Sequence, residues 1–200
     1  MTRLTILLLT AALAGCAQSP TSDSGWTTLI DGARGIENWN RVGDANWRAE
    51  DGAIVADGGK AGFLVSKSAY RNFQIRAEFW AAHNANSGIY MRCSDPAALT
   101  DKNCHEANIF DERPDPKFGT GGIVHIAPVT ASHKTGGKWN VYEITVTGTQ
   151  AVVVLNGVET ARTDKLTFTE GPFALQYGTL PPKGLPGGAI KWRKVQIRPL

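Results

Sequence analysis

Hydrophobic and polar positions along most of this chain alternate with a period of two, the spacing of a strand that turns one face to a core. In Phe73-Gln74-Ile75-Arg76-Ala77-Glu78-Phe79 the alternation runs without a fault, and Tyr142, Ile144 and Val146 alternate with Glu143, Thr145 and Thr147. Gln150 to Leu155 is Val-rich, and Asn156-Gly157 turns it into Val158-Glu159-Thr160-Ala161. Asn-Gly accepts positive φ at both central positions, which a tight hairpin needs. Asp51-Gly52 stands in the same way between Trp47–Glu50 and Ala53–Ala56. Further strands are predicted at 62–66, 87–92, 105–110, 121–126, 172–177 and 189–198. In the last, Ile190 and Trp192 share one parity while Val195 and Ile197 share the other, so a bulge near Arg193-Lys194 is expected to bring both pairs to one face. A short turn of helix near 97–103 is the one helical candidate. Many short strands punctuated by Gly, Pro and Asn predict an all-β sandwich or jelly roll.

The first residues follow a different pattern. Arg3 precedes an apolar run from Leu4 to Leu13 that is too short to span a bilayer as a helix, and Leu13-Ala14-Gly15-Cys16 follows. A charged start, an apolar middle and a small-residue cleavage site read as an export signal over 1–15, outside the fold. Its end resembles the lipobox of bacterial lipoproteins, in which cleavage leaves the cysteine first and acylated. Cys16 is therefore the expected lipidation site, and two or more acyl chains anchor stably. Ala17 after that cysteine favours, by the same resemblance, an outer-membrane location facing the periplasm or the surface. Residues 16–25, polar and small, read as a flexible tether. From 26 to 200 there is no second linker and no repeat, so one domain is expected.

The net charge of +3 is small and its Lys and Arg residues are scattered, which argues against a nucleic-acid partner. With Cys16 assigned to lipid, Cys93 and Cys104 remain, and in an exported chain two remaining cysteines are expected to pair. A bridge over a loop of that length stabilises by roughly 3 kcal/mol through the unfolded state. No Cys or His spacing completes a zinc set. No cofactor is predicted; scattered Asp, Glu and His permit a divalent cation without demanding one.

From residue 86 onward the motifs become distinctive. Asn86-Ser87-Gly88-Ile89-Tyr90-Met91-Arg92 and His105-Glu106-Ala107-Asn108-Ile109-Phe110-Asp111 resemble the family of 3-keto-disaccharide hydrolase domains. So do Trp139-Asn140-Val141-Tyr142-Glu143-Ile144, Gly171-Pro172-Phe173-Ala174-Leu175-Gln176 and the closing Val195 to Leu200. The resemblance implies a concanavalin A-like jelly-roll sandwich of two antiparallel sheets. It also implies action on glycosides oxidised to a ketone at sugar carbon 3, with a separate oxidoreductase supplying the substrate.

A ketone at C3 acidifies the hydrogen at C2, so a base, a donor to the enolate and an acid for the leaving group are required. Glu106 is the first candidate for the base, because an apolar strand desolvates it and raises its pKa. Asn108 shares its face at a spacing of two, whereas His105 points to the other face. Arg92 is a candidate donor to the enolate or to a hydroxyl, or else a surface partner of Glu106 or Asp111. His125, alternating with Val124 and Ile126, is a candidate acid or base, and Asp111 a group that orients a catalytic partner or binds a cation, or else simply forms a turn. Tyr90, Tyr177, Trp139, Trp80 and Gln176 are candidates for sugar stacking and hydrogen bonding. The Gly- and Pro-rich loop 112–122 follows the Glu106 strand, and loops on rigid scaffolds often carry function. A lipid-anchored enzyme acting on 3-keto-glycosides is thus the leading expectation; the alternatives are a non-catalytic glycan-binding lipoprotein module and a structural lipoprotein that binds protein.

Overall fold

Strands with one apolar face must cover it, and here two sheets do so by stacking. The structure, a computed structural model, describes residues 25–182 and 184–200. The export signal, Cys16 and all of the tether except Gly25 lie outside the described residues.

In chain order the strands are β1 (Thr27–Asp31), β2 (Trp39–Ala45), β3 (Arg48–Glu50), β4 (Ala53–Ala56) and β5 (Gly59–Ser66). The middle of the chain supplies β6 (Phe73–Ala81), β7 (Ser87–Met91), β8 (His105–Ile109), β9 (Trp139–Thr147) and β10 (Gln150–Leu155). Then come β11 (Val158–Thr163), β12 (Ala174–Tyr177), the short pair β13 (Thr179–Leu180) and β14 (Leu185–Pro186), and β15 (Ile190–Pro199). An eight-stranded sheet runs β11-β10-β9-β6-β15-β4-β3, with β1 also paired to β15. A five-stranded sheet runs β2-β5-β12-β7-β8, and its pairings, like those of the larger sheet, are antiparallel. This is the jelly-roll sandwich that the alternation predicts.

The bulge expected in the last strand is present. Its register against β6 shifts between Trp192 and Lys194, so Ile190, Trp192, Val195 and Ile197 all reach the core. The same shift lets one edge of β15 pair β4 through Ile190–Trp192 and β1 through Lys194–Ile197. Between the sheets, Ile75, Phe79, Tyr142, Ile144 and Trp192 from the larger sheet meet Leu64, Ile89, Met91, Ile109 and Leu175 from the smaller. On the solvent face of the larger sheet, the Trp26 ring is held between the guanidinium groups of Arg76 and Arg198, at 5.2 and 4.9 Å from the ring centre.

Two predicted elements differ. Residues 97–103 form turns rather than a helix, because Asp95, Thr100 and Asn103 side chains accept the amides of Ala97, Lys102 and Thr100 respectively. Such local bonds compete with a helical ladder. The predicted strand 121–126 is strand-like only at its start. Asn108 N–H donates to Gly122 O, Gly121 N–H to Asn108 O and Val124 N–H to Glu106 O, which extends the β8 edge. Then the chain turns back at His125, whose φ is 62°, and Ile123 bridges Ala127. β1 and β2 have no forecast counterpart: β2 is an edge strand with few buried positions and no clean alternation.

Candidate active site

A sandwich sheet normally leaves its outer face to water, yet every residue of β7 and of β8 is buried. A second apolar cluster explains it. Phe63, Val65, Tyr90 and Ala174 on the outer face of the smaller sheet pack against Leu99, Cys93 and Cys104. The Cys93–Cys104 disulfide ties down the loop that carries Leu99 across this face. On the other side of β8, the 118–122 segment covers Asn108, whose amide donates to Phe118 O at 2.5 Å.

Glu106 lies beneath this cover, directly across from Tyr90 in the β7–β8 register, with Asn108 across from Gly88. Its side chain folds over Gly88: a Cβ there would stand 2.8 Å from the Glu106 Oε1, so the absent side chain makes the room. At 4 % exposure the carboxyl is stripped of water, and burial pushes its pKa up to about 8. The Tyr90 hydroxyl, hydrogen-bonded to it, and the Arg113 charge pull the other way, while Asp101 adds to the rise. At pH 7 the neutral carboxyl is therefore the prevailing form. The Gln176 amide donates to the Tyr90 oxygen at 2.9 Å, which completes a chain Gln176–Tyr90–Glu106 along the outer face. Two acceptors beside it, Asn108 Oδ1 and Gln176 Oε1, are buried without a hydrogen-bond partner among the described residues. Buried orphan acceptors are rare in native folds and mark places where a donor from outside the chain is welcome.

These residues match one family model over 25–198, that of the 3-keto-alpha-glucoside-1,2-lyase-like domain. The chain belongs to this family. Its membership supports a glycoside-processing function. None of the curated proteins matches the chain. Among solved structures, two proteins of Parabacteroides distasonis ATCC 8503, provisionally named as glycosyl hydrolases, are similar. One is 22 % identical with a TM-score of 0.69, covering 88 % of this chain and 99 % of the other. The second is 18 % identical with a TM-score of 0.70, covering 88 % and 94 %. The carbohydrate binding module CBM66 from Bacillus subtilis is 17 % identical with a TM-score of 0.52, covering 87 % and 95 %. At these identities the likeness is one of fold.

Within this lyase-like domain, the expected site residues divide. Glu106, Tyr90, Asn108 and Gln176 come together as described. His125 stands close by at the rim, where its Nε2 meets Asp101 Oδ2 at 3.0 Å and its ring lies against Phe118. It does so from a left-handed turn and not from an alternating strand.

Four others are placed elsewhere. Arg92, which strand parity would set beside Tyr90, has φ 50°, and its guanidinium leaves the sheet face for one end of the sandwich. There its Nε donates to Arg71 O at 2.7 Å and its Nη1 to Gly148 O and Phe168 O at 2.6 and 2.9 Å. It gathers three loops and cannot reach an enolate on the Glu106 face. The Asp111 carboxylate is consumed by the Thr120 hydroxyl, the Thr135 hydroxyl and amide and the Gly136 amide, at 2.6 to 3.0 Å. Rather than orienting a catalytic partner, it pins the 112–122 and 133–136 loops to the end of β8. Tyr177 lies wholly in the core, its hydroxyl donating to Gly187 O at 3.0 Å, so it is no sugar platform here. Trp139 is exposed, but on the outer face of the opposite sheet, where Arg193 stacks on it at 4.3 Å.

His105 behaves as its parity predicts. It faces inward, accepts the amides of Thr167 and Phe168 on Nε2, and burial holds its pKa down to about 4. Sequence reasoning overlooked Asp101 and Arg113, whose charges act on Glu106, and Gly88 beneath its carboxyl. Gly88 was legible as a small residue inside an apolar strand; the two charged groups stand in loops with no period. Among the described residues no group of three or more His, Cys, Asp or Glu side chains is placed to hold a metal ion.

Proposed function

We propose that this domain cleaves glycosides already oxidised at carbon 3, with Glu106 as the base that takes the proton from C2. The observation that carries this reading is a buried carboxyl with a pKa near 8, seated between a tyrosine hydroxyl and two orphan amide oxygens. A base is most effective when its pKa lies near the working pH.

In the proposed sequence, ionised Glu106 accepts the C2 proton and the C–H electrons move into an enolate at the C3 oxygen. The Tyr90 hydroxyl stabilises developing negative charge on the same face. The enolate collapses, the C1–O bond breaks, and the leaving oxygen takes a proton from His125, which Asp101 orients. The product is a 1,2-unsaturated 3-ketone. Water then adds its oxygen to C1 and gives its proton to the now neutral His125, while Glu106 returns a proton to C2, so both groups are restored and the net result is hydrolysis. Asn108 Oδ1 and Gln176 Oε1 accept hydroxyl protons of the sugar and set its register. A separate oxidoreductase provides the ketone, and acylation of Cys16 would hold the domain at the envelope, at the outer membrane.

The test is incubation of the protein with a 3-keto-disaccharide in heavy water. Release of monosaccharide, with deuterium entering C2, supports the reading, and Glu106→Gln must abolish both. Binding of the sugar with neither event, in wild type and variant alike, supports the alternative of a glycan-binding module. The likeness of fold to the carbohydrate binding module CBM66 favours that second reading.

A further inference from the structure

The outer face of β8 does not end at Asn108. With a period of two, Glu106, Asn108 and Phe110 follow one another along it, and the last stands about 13 Å beyond the first. There the face runs into a cleft of about 530 Å³, walled by Phe110, Pro114, Leu180 and Pro182, with Asn86, Arg113 and Asp115 among its polar lining groups; Asp115 is exposed at the mouth and accepts the Lys117 amide. A site of that size takes a ring-bearing ligand. The walls are prolines, a phenyl and a leucine, surfaces that pack against a flat ring.

Arg113 is the informative member. It is half-buried at the cleft wall, yet its guanidinium has neither an ion pair nor a side-chain hydrogen bond among the described residues. A partly desolvated, unpaired guanidinium beside apolar walls is matched by a carboxylate, which it can hold through two parallel hydrogen bonds. The same Arg113 is near enough to Glu106 for its charge to be felt there, which links the cleft to the carboxyl.

We infer that this cleft holds the leaving group, and that the preferred leaving group is a flat ring carrying a carboxylate, bound by Arg113. The inference rests on the reading of Glu106 given above and names the substrate class for it: 3-keto-glycosides of carboxylated aromatic alcohols. Arg113 is here a specificity residue that touches the departing half of the substrate.

The experiment compares two 3-keto-glucosides, one with a 4-carboxyphenyl aglycone and one with its neutral methyl ester. The ester carries the more acidic phenol and is the better leaving group, so a preference of the protein for the acid runs against intrinsic reactivity and reports the charge. Wild type is expected to favour the acid by about tenfold, the scale of one charge-assisted hydrogen bond at a half-open site. Arg113→Gln is expected to remove that preference, bringing the acid-to-ester ratio of kcat/KM down by about tenfold, whatever common loss the two substrates share through Glu106. A preference for the acid that persists undiminished in Arg113→Gln would overturn the subsite. Equal use of both substrates by wild type would overturn it as well. A binding readout separates this idea from the chemistry. In calorimetry the unoxidised 4-carboxyphenyl glucoside should bind wild type and Glu106→Gln alike and Arg113→Gln about tenfold more weakly. If that pattern holds without any turnover of keto-glucosides, the subsite stands and the proposed reaction falls. Absence of binding to wild type in calorimetry overturns the subsite even if turnover is seen.

Discussion

Tyr90 and Glu106 face each other across the β7–β8 ladder, both buried, and the hydroxyl of one hydrogen-bonds the carboxyl of the other. This cross-strand pair sets the acidity of the site from both sides: the strand pairing removes water, and the tyrosine returns part of the lost solvation.

The share of ionised Glu106 grows as pH rises through about 8, so catalysis that depends on it should show an ascending limb over that range. Rate–pH profiles of sugar release will show the ascending limb. Glu106→Gln should lose roughly 10²- to 10⁴-fold, the usual scale of a general base. An unchanged profile in that variant would remove Glu106 from the reaction.

Loss of the tyrosine hydroxyl should move that limb. Tyr90 lowers the Glu106 pKa, so Tyr90→Phe must let it rise further, and the midpoint of the profile shifts to higher pH. The phenyl ring still packs edge-on against Phe63, so the fold is expected to survive. A midpoint that stays or falls would contradict the pairing.

Stability should carry the same signature with a definite sign. Glu106 is protonated in the fold up to about pH 8 but ionises near 4.5 when unfolded. The native state therefore binds more protons between these values, and stability falls as pH rises through that window, then flattens. The swing is on the order of 5 kcal/mol. Glu106→Gln should abolish it, matching wild type near pH 4 and exceeding it in denaturant melts at pH 9. His105 acts oppositely: its pKa is lowered to about 4, so its neutral form stabilises above pH 6.5 and that contribution is lost as pH falls through 4.

Arg92 and Asp111 should behave as structural residues. Arg92→Ala leaves the carbonyls of Arg71, Gly148 and Phe168 without their donor, and Asp111→Ala frees the Thr120, Thr135 and Gly136 groups. Each is expected to lower unfolding free energy by about 3 kcal/mol in urea titrations. Under stabilising conditions, a rate loss beyond about tenfold for Arg92→Lys would return Arg92 to the chemistry.

The fold was legible because β6, β9, β10 and β15 write their inward faces as alternation, and even the bulge near Lys194 leaves a parity change in the residues themselves. Glu106 was legible for the same reason, since a charged residue inside an apolar strand must either ionise at a cost or shift its pKa. Alternation misleads where the backbone leaves the β region. Arg92 and His125 both take positive φ, and each side chain goes where parity does not send it. Trp139 was misplaced for a different reason: its strand pattern is correct, but nothing local tells which of two sheets the strand joins. Arg113 and Asp101 reach the neighbourhood of Glu106 through loop geometry, which the disulfide and the Asp111 hydrogen bonds impose from a distance.

The clamp on Trp26 by Arg76 and Arg198 fixes where the chain enters the domain: on the broad outer surface of the eight-stranded sheet, with the whole thickness of the sandwich between it and Tyr90. A partner fused directly ahead of Trp26 would be joined on the face opposite the one that carries Tyr90. The Tyr90 side of the smaller sheet, beneath its own cover of Leu99 and the disulfide, is left clear of that attachment.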